Sequence, residues 1–298
     1  MNLRDLEYVS ALAEAKHFGH AAARCHVTQP TLSMQIAKLE QELGVALFER
    51  GSRSVSPTPE GRQVAAEARG ILDAARRIHE IGRAAGDGIA GPFYLGAIPT
   101  IGPYLLPELL PELRRRYPDI ELYLREEITD RLLERLRNGE LDAAILSLPL
   151  EGGGIEYAPL FTEAFVAAMP EGHALARKKR LAVSDFADET VLLLEEGNCM
   201  RDQTINFCKQ SAAERGDYRA SSIECLRQMV GAGMGCTFLP RLAASGRFAE
   251  AAAVALRPLH KPAPAREVVL VWRNSHPNAA ALRTLAGHLK KSLRRRPQ

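Results

Sequence analysis

The first 45 residues carry apolar positions at helical spacing, in three stretches separated by turn signals. Asn2, with Asp5 three residues later, predicts the start of a first helix, because each side chain can cap the other's backbone amide. A short second helix is predicted over residues 20–24, with a turn at 25–27. The pattern therefore predicts three helices, the second and third of which are joined by a tight turn.

The predicted third helix begins at Thr28, a capping residue, and ends at Gly44. Pro30 falls in its first turn, where a helix tolerates proline. Its outward face carries short polar and amide side chains, which can donate and accept hydrogen bonds toward base edges when a helix N-terminus lies in a major groove. This favours double-stranded DNA as a partner. The inward face is apolar and consists of Leu32, Ile36, Leu39 and Leu43.

Residues 47–53 follow the third helix and are expected to form a wing, with Arg50 and Arg53 placed for phosphate or minor-groove contact. Residues 1–58 are thus predicted to be a winged helix-turn-helix domain. Its predicted DNA-binding residues are Thr28, Gln29, Pro30, Thr31, Ser33, Gln35, Lys38, Arg50 and Arg53.

Thr58 followed by Pro59 predicts the start of a long linker helix over residues 59–87. Its apolar residues alternate at spacings of four and three, which is typical of a coiled-coil seam. Because no partner helix lies nearby in sequence, we expect this helix to pair with a second copy of the chain and to set two recognition helices on successive major grooves. The seam consists of Val64, Ala68, Ile71, Ala75 and Ile78.

From residue 88 onward, strand and helix patterns alternate. Strands are predicted at residues 93–98, 120–124 and 143–148, with helices at 105–116 and 129–138 between them, and this βαβαβ order implies a parallel sheet with helices on its faces. A second set follows, with strands at 165–169, 191–194, 236–239 and 267–272 and helices from 199, 223 and 278.

The fold class is therefore α/β, with a winged helix-turn-helix, a long linker helix and a two-lobed regulatory domain over residues 88–298. Lobe I is expected to comprise residues 88–163 and 266–298, and lobe II residues 164–265. Two such lobes sharing a cleft are the usual setting for a small-molecule site.

Composition excludes some functions and leaves others open. Of 298 residues, 46% are hydrophobic and 25% charged, as in an ordinary globular protein. No apolar run approaches the roughly 18–20 residues that span a bilayer, and the start of the chain has no basic and then apolar leader, so we expect a cytoplasmic protein without a membrane partner. The net charge of +3 does not itself indicate nucleic-acid binding, because acidic and basic residues cancel within residues 1–58.

The five cysteines are an odd number without a CxxC pair, which argues against structural disulfides and a zinc ribbon. His260, His276 and His288 show no metal-ligand spacing, and we expect neither metal nor cofactor. Cys25, Cys225 and Cys236 fit packing positions.

Several N-terminal segments together resemble the LysR-type transcriptional regulators, and the resemblance extends over nearly the whole chain. It implies a regulatory domain similar in fold to type 2 periplasmic binding proteins, a homo-tetramer on promoter DNA, RNA polymerase as a partner and no enzymatic activity. The segments are Ala21-Ala22, Thr28-Gln29-Pro30-Thr31-Leu32-Ser33, Leu39-Glu40, Leu43-Gly44, Leu47-Phe48-Glu49-Arg50 and Thr58-Pro59-Glu60-Gly61.

Residues 98–107 and 197–203, with Phe207 and Cys208 behind them, are similar to the branch of this family that senses hydrogen peroxide. By that resemblance Cys199 is the peroxidatic cysteine and Cys208 resolves it, and the disulfide activates the regulator. Many members of the branch carry histidine where this chain has Asn198, so help from a ring nitrogen is missing here. The residues expected to hold peroxide are Thr100, Thr129, Asn198, Arg201 and Asp202.

The position of Cys199 suits a reactive thiol. A helix N-terminus and a nearby cation lower a thiol's pKa, and Cys199 follows Gly197-Asn198, a plausible cap, and precedes Arg201. Asp202 is expected to relay a proton to the leaving hydroxide. From spacing alone, an inert buried thiol beside a solvated Asp202 is an equal alternative.

Cys199 and Cys208 are nine positions apart, which on one helix places them about 13.5 Å apart along the axis and on opposite sides. A disulfide needs Cα atoms within roughly 4.4–6.8 Å. Joining these thiols therefore requires the helix to unwind.

Two other functions fit the sequence. A LysR-type regulator of a small metabolite would bind a carboxylate through Thr100 and Thr129, with Cys199 incidental. A thiol peroxidase would turn over with a reductant, although the DNA-binding segment and the lack of an electron-donor motif argue against it.

Overall fold

The computed structural model describes residues 1–50, 55–83, 89–211, 214–245 and 253–294. The chain divides into two compact units, Met1–Ala85 and Gly86–Gln298. None of the described helices combines the length and apolar composition that crossing a bilayer requires.

The first unit is a helical domain with a short two-stranded wing. Its elements are α1 (Leu3–Ala15), α2 (Phe18–Arg24), α3 (Gln29–Leu43), β1 (Phe48–Arg50), β2 (Val55–Pro57) and α4 (Pro59–Arg83). β1 and β2 pair antiparallel.

The predicted caps of α1 and α3 are confirmed, whereas α2 begins at Phe18, before the predicted start at residue 20, because the His17 side chain caps it. The Asn2 side chain accepts from the Asp5 amide at 3.1 Å while Asp5 accepts from the Asn2 amide at 2.8 Å. Thr28 caps α3, and Gly44 ends it with φ +70°. The predicted inward face of α3 is correct for three residues but wrong for Leu43, which is 39% exposed because it lies in the last turn, beyond the cluster that buries the others.

Helix α4 begins against the short segment that leads from α3 into β1. The Thr58 hydroxyl donates to the Ala46 carbonyl and accepts from the Gly61 amide, at 2.8 and 2.9 Å. A Cβ at Gly61 would lie only 1.9 Å from the Leu47 carbonyl oxygen, so only glycine permits this contact. Farther along the predicted seam, Ile71 and Ile78 are 43% and 70% exposed, so the described residues do not cover this part of the apolar stripe.

The second unit contains two lobes. Its helices and strands are β3 (Gly91–Ala97), α5 (Gly102–Arg116), β4 (Ile120–Glu126), α6 (Thr129–Asn138), β5 (Ala143–Ser147), β6 (Ile155–Pro170), β7 (Thr190–Leu194), α7 (Cys199–Ser211), β8 (Glu214–Ala220), α8 (Ile223–Gly231), β9 (Thr237–Pro240), β10 (Val254–Pro258), β11 (Ala265–Arg273) and α9 (Ala279–Leu293). Single 3-10 turns occur at Ala174–Arg177, Val183–Phe186 and Arg241–Ala244.

The predicted βαβαβ unit is confirmed, because β3 pairs parallel with both β4 and β5. The main sheet has the order β10-β6-β11-β5-β3-β4, with β9 also on β6. The long strand β6 pairs with β11 along its first part and with β9 and β10 along its second. β7 and β8 form a separate parallel pair.

Two hydrophobic cores lie in this unit. The first is built on β3, β5, β11 and the helices α5, α6 and α9. The second is built on the end of β6 with β7, α7, α8 and β9. Each lobe therefore has its own core, and β6 and β11 run between the two.

Candidate functional site

Cys199 is the first residue of α7, at the point where the start of α7 meets the start of α6. Gly197 has φ +85°, and a Cβ there would lie 2.9 Å from the Ile128 side chain. Ile128 directly precedes Thr129, the first residue of α6. The loop before α7 thus passes close against the α6 N-terminus, and the half-buried Cys199 packs on the first-lobe core.

Thr100 connects this thiol to a buried arginine. The Thr100 hydroxyl bonds to the Cys199 sulfur. The same hydroxyl accepts from Arg266 Nη1 at 2.9 Å, and the Thr100 carbonyl accepts from Nη2, also at 2.9 Å. Because Thr100 is 2% exposed, water does not compete for these bonds.

Arg266 is in turn held by Glu163. The two side chains are 0% and 5% exposed, and the Arg266 Nε and Nη2 atoms lie 2.7 and 2.6 Å from Glu163 Oε1. The other carboxylate oxygen accepts from the Leu242 amide at 2.9 Å. A chain of buried polar contacts therefore links Cys199 through Thr100 and Arg266 to the 3-10 turn at Arg241–Ala244.

Arg266 and Glu163 were not among the residues predicted from sequence. Both lie in strand segments, and a charged residue within a strand more often faces solvent than a buried site. Only their distances in the folded chain show that they pair, and no sequence signal near either residue indicates it.

Burial raises the pKa of the Cys199 thiol, and this effect outweighs the opposing ones. The charge of Arg266, the Met200 amide and the Thr100 hydroxyl lower that pKa, whereas the Asp202 charge raises it. The expectation of a thiol whose pKa is lowered by the helix terminus and Arg201 is therefore wrong. The cation that favours the thiolate is Arg266, and burial exceeds its effect.

Arg201 makes ion pairs with neighbouring carboxylates, and Asp202 lies at the surface. Arg201 pairs with Glu196 at 3.3 Å and with Asp202 at 3.7 Å. The Asp202 side chain is 75% exposed, so this structure does not place it to hold peroxide, and its charge disfavours the thiolate. The sequence separation between Cys199 and Asp202 does not indicate that the Asp202 side chain points to solvent.

Asn198 is buried, but its side-chain amide donates to the Glu195 carbonyl at 3.1 Å. It therefore holds the loop before α7 in place. The Arg201 amide also donates to the Asn198 carbonyl, at 2.9 Å, which closes the first turn of α7.

Three buried polar atoms near these helix starts have no hydrogen-bond partner among the described residues: the Thr129 hydroxyl, Arg201 Nε and Gln203 Oε1. Gln203 lies one turn after Cys199 on the same face of α7. Its amide nitrogen reaches Ser147 Oγ and the Leu148 carbonyl only at 3.5 Å each. Thr129 was predicted and Gln203 was missed, although its position four residues after Cys199 was a usable signal. These atoms can bind a small polar molecule.

Cys208 lies on the same unbroken helix as Cys199 but is buried at 3% exposure in the second-lobe core, beside Phe207. Phe207 makes edge contacts with Phe165 and Phe238 at ring-centroid distances of 5.3 Å. All five cysteines are thiols in this structure. The predicted helix with its two thiols far apart is confirmed.

The remaining cysteines occupy packing positions. Cys25 ends α2 and is half-buried. Cys225 bonds to the Tyr218 hydroxyl at 3.0 Å, and Cys236 is 1% exposed. Burial raises the pKa of Cys25, and burial together with Glu189 raises the pKa of Cys236 to about 12.

The predicted recognition helix α3 presents a polar outward face. Thr28, Gln29, Pro30 and Lys38 are exposed, and Thr31, Ser33 and Gln35 are half-buried. The hydroxyl groups of Thr28 and Thr31 are hydrogen-bonded to each other at 2.8 Å. Met34, 63% exposed on the same helix, was not predicted, although a methionine with no inward role is a usable signal for apolar contact.

The predicted wing contacts are only partly described. β1 and β2 form its two strands, and Arg50 is the last residue of β1. The Arg50 side chain and all of Arg53 lie outside the described residues.

Comparison with known proteins supports the same organisation. Residues 3–62 match the family model "Bacterial regulatory helix-turn-helix protein, lysR family", and residues 86–294 match the "LysR substrate binding domain". The chain is 44% identical over 294 residues to the hydrogen peroxide-inducible genes activator of Pectobacterium carotovorum subsp. carotovorum, covering 98% of this chain and 97% of that one.

Two further likenesses are equally extensive. The chain is 43% identical over 303 residues to the DNA-binding transcriptional dual regulator OxyR of Escherichia coli K12, covering 99% of each. It superposes on full-length OxyR from Pseudomonas aeruginosa, a Cys-to-Asp variant, with a TM-score of 0.71 at 40% identity, covering 97% of this chain and 95% of that one.

The winged helix-turn-helix followed by a two-lobed α/β domain defines a DNA-binding transcriptional regulator with a separate sensing domain. The chain belongs to the LysR family and, within it, to the OxyR group.

Proposed function

We propose that this chain regulates transcription in response to hydrogen peroxide, which oxidises Cys199. The observation that carries the proposal is the contact between the Cys199 sulfur and the Thr100 hydroxyl, which Arg266 also holds. A thiolate in contact with hydrogen-bond donors and a fixed cation is the nucleophile that peroxide oxidises. The relatives named for peroxide induction support the choice of oxidant.

The oxidation proceeds in two balanced steps. The Cys199 thiolate attacks one peroxide oxygen, the O–O bond breaks, and the departing hydroxide takes up a proton to leave as water. The Cys208 thiol then attacks the sulfenic acid, forming the S–S bond and releasing a second water. Thr100 and Arg266 act by stabilising the thiolate, and Thr129 and Gln203 offer polar contacts to the peroxide.

Burial of Cys199 limits its rate of reaction with peroxide. Because burial raises the thiol's pKa, only a small fraction of Cys199 is thiolate at neutral pH. Arg266 and Thr100 keep that fraction from falling further. This arrangement suits a regulator that responds to an oxidant pulse and does not consume peroxide continuously.

Helix α7 is the element that changes. Forming the disulfide unwinds residues 199–208 and withdraws Cys208 from the second-lobe core, which alters the packing around Phe207. We propose that this rearrangement changes how subunits pack and thereby activates transcription. Asn198, Arg201 and Asp202 then contribute through the loop and first turn that rearrange, and direct contact with peroxide falls to Thr129 and Gln203.

The proposed assembly is a cytoplasmic homo-tetramer on promoter DNA that also contacts RNA polymerase. The uncovered stripe of Ile71 and Ile78 on α4 supports at least a dimer, because apolar stripes of this length are normally buried against a partner. The proposed domains are residues 1–58 for DNA binding, 59–87 for the linker helix and 88–298 for sensing. Lobe I comprises residues 88–163 and 266–298, and lobe II residues 164–265.

The DNA interface is proposed on α3 and the wing. Exposure of Gln29 and Lys38 supports it, because base edges and phosphates need reachable donors and acceptors. The proposed contacts are Thr28, Gln29, Pro30, Thr31, Ser33, Gln35, Lys38, Arg50 and Arg53.

A reporter assay with Cys199→Ser tests the function, and Cys225→Ser is the matched control because Cys225 is also a half-buried thiol at a helix start. We expect peroxide induction to be lost in the first variant and kept in the second. Induction that survives Cys199→Ser would instead indicate a metabolite effector. Sustained peroxide consumption with a thioredoxin-type reductant would indicate a thiol peroxidase.

A further inference from the structure

Three side chains from distant parts of the sequence converge in the second lobe: His173, Glu189 and Cys236. His173 follows β6, Glu189 directly precedes β7 and Cys236 directly precedes β9. His173 Nε2 lies 3.2 Å from Glu189 Oε2. The imidazole nitrogen, carboxylate oxygen and thiol sulfur all lie within 4.8 Å of one another.

The backbone around these residues is fixed. The His173 amide donates to the Pro170 carbonyl at 3.0 Å, and the Glu189 amide donates to the Phe186 carbonyl at 3.1 Å. Cys236 is held to β7 on both sides, donating to the Thr190 carbonyl and accepting from the Leu192 amide, each at 2.8 Å. The three ligand-type atoms are therefore brought together by main-chain contacts that do not depend on the side chains.

Gly235 makes this approach possible. It has φ +155°, and a Cβ there would lie 2.5 Å from the Thr190 carbonyl oxygen. Only glycine lets the chain pass this close to β7, and the next residue, Cys236, is thereby placed beside Glu189.

We propose that His173, Glu189 and Cys236 form a zinc site with one open coordination position. Zinc–nitrogen and zinc–oxygen bonds of about 2.0–2.2 Å at a tetrahedral angle separate the two ligand atoms by about 3.3 Å, close to the 3.2 Å observed. The mixture of one sulfur, one nitrogen and one oxygen ligand suits zinc better than magnesium or calcium, which prefer oxygen alone.

The burial of the three groups fits an entry path. Cys236 is 1% exposed, whereas the His173 and Glu189 side chains are 23% and 26% exposed. A metal ion reaches the site from the side of the imidazole and carboxylate, and the sulfur lies behind them.

Zinc binding changes the protonation of Cys236 and His173. Without metal, burial and the Glu189 charge keep the Cys236 thiol protonated, with its pKa at about 12. The His173 ring accepts at Nδ1 from the Leu175 amide, 3.3 Å away, so in the neutral ring the proton lies on Nε2. When zinc binds Nε2 and the sulfur, the ring proton moves to Nδ1 and the thiol releases one proton to solvent. The Leu175 hydrogen bond is lost, and its amide becomes a reporter of binding.

The site is independent of the peroxide chemistry. Cys236 packs in the second-lobe core, whereas Cys199 packs on that of the first lobe. The proposal therefore stands or fails separately from the proposed regulatory function.

The test is a metal titration of the full-length chain, reduced and stripped with a chelator, using zinc in competition with a chromophoric chelator and cobalt(II) as a spectroscopic substitute. We expect one equivalent to bind, one proton to be released, and cobalt to show a sulfur-to-metal charge-transfer band. In Cys236→Ser the band should vanish and affinity should fall about 100-fold or more. In the matched control Cys225→Ser both should be retained.

Circular dichroism establishes that each variant is folded, and Glu189→Gln provides a second variant that keeps the buried thiol. Weakened binding in both Cys236→Ser and Glu189→Gln supports the site. Unchanged affinity in Cys236→Ser, or no stoichiometric binding by the parent chain, overturns it and leaves an ion pair beside a buried thiol.

Discussion

Cys199 and Cys208 lie nine residues apart on one continuous helix, α7, yet pack into different hydrophobic cores. Cys199 contacts the first-lobe core and Cys208 is buried in that of the second. The helix separates them by about 13.5 Å along its axis, well beyond the roughly 4.4–6.8 Å that a disulfide allows between Cα atoms. A bond between them therefore cannot form without local unfolding, which couples the chemistry of one sulfur to the packing of both lobes.

The Thr100 hydroxyl is expected to set the reactivity of Cys199. Thr100→Val removes a bond to the thiolate and an acceptor of Arg266, so the pKa of Cys199 should rise further. A hydrogen bond to a charged group contributes about 1.5–3 kcal/mol, so peroxide oxidation should slow about tenfold or more. Stopped-flow kinetics of the reduced protein measure this. Thr100→Ser, which keeps the hydroxyl, should remain near the parent rate, and a Val variant that oxidises at the parent rate would contradict the assigned role.

Glu163 is expected to restrain the same thiol. Its buried carboxylate neutralises Arg266, the cation that favours the Cys199 thiolate. Glu163→Gln keeps a side chain of the same shape but removes the negative charge, so the pKa of Cys199 should fall and oxidation should be faster at neutral pH. The thiolate absorbance of the protein followed against pH gives the direction. Slower oxidation in a folded Glu163→Gln protein would show that the carboxylate acts by positioning Arg266 rather than by offsetting its charge.

Stability should decline at alkaline pH partly because of Cys236. The pKa of its thiol rises from 9.0 to about 12 on folding, so between these values the folded chain holds a proton that the unfolded chain has lost. Stability is therefore fully present below pH 9 and falls as pH rises through that window, by at most about 1.4 kcal/mol per pH unit from this group.

Denaturant unfolding from pH 8 to 11, with a chelator present, measures this decline. Cys236→Ala should flatten the slope, and Cys225→Ala provides the control. Parallel slopes for the parent and Cys236→Ala proteins would rule out the contribution of this thiol.

The exposed face of α3 should separate base contacts from phosphate contacts. Gln29→Ala is expected to reduce the binding free energy for promoter DNA by about 1–3 kcal/mol and to relax the sequence preference at one base pair. The reason is that an amide side chain near a helix start hydrogen-bonds to base edges. Lys38→Ala should weaken binding to all DNA sequences alike. It should also reduce the slope of log affinity against log salt concentration by about one. Binding titrations on promoter and random DNA at several salt concentrations distinguish these outcomes. If the Gln29 variant lost affinity equally for promoter and random DNA, Gln29 would contact the DNA backbone and not a base.

Much of this fold follows from local patterns. The caps at Asn2, Thr28 and Thr58 involve residues within a few positions of each other, and the structure contains them as predicted. The parallel pairing of β3, β4 and β5 was also predictable, because each strand and helix in this stretch has its own local apolar pattern. By contrast, β8 carries mainly charged and polar residues, and the first part of β6 contains Pro159, so neither shows an apolar strand pattern.

The site was only half predictable. Cys199, Cys208, Thr100 and Thr129 were found through resemblance to a family. The structure places Thr100 against Cys199, and Thr129 directly after Ile128, which the loop before Cys199 approaches. The pairing of Arg266 with Glu163 depends on two strands meeting across 103 residues, which no local pattern indicates. The outward orientation of Asp202 and the convergence of His173 on Cys236 are likewise tertiary properties.

The most direct test of the central claim is to treat the reduced full-length chain with stoichiometric peroxide and to combine disulfide peptide mapping with amide hydrogen exchange over residues 199–208. The account predicts a Cys199–Cys208 crosslink, faster exchange across that segment, and neither change in Cys208→Ser. A protein that activates transcription after peroxide without that crosslink, or with equal exchange in both states, would contradict it.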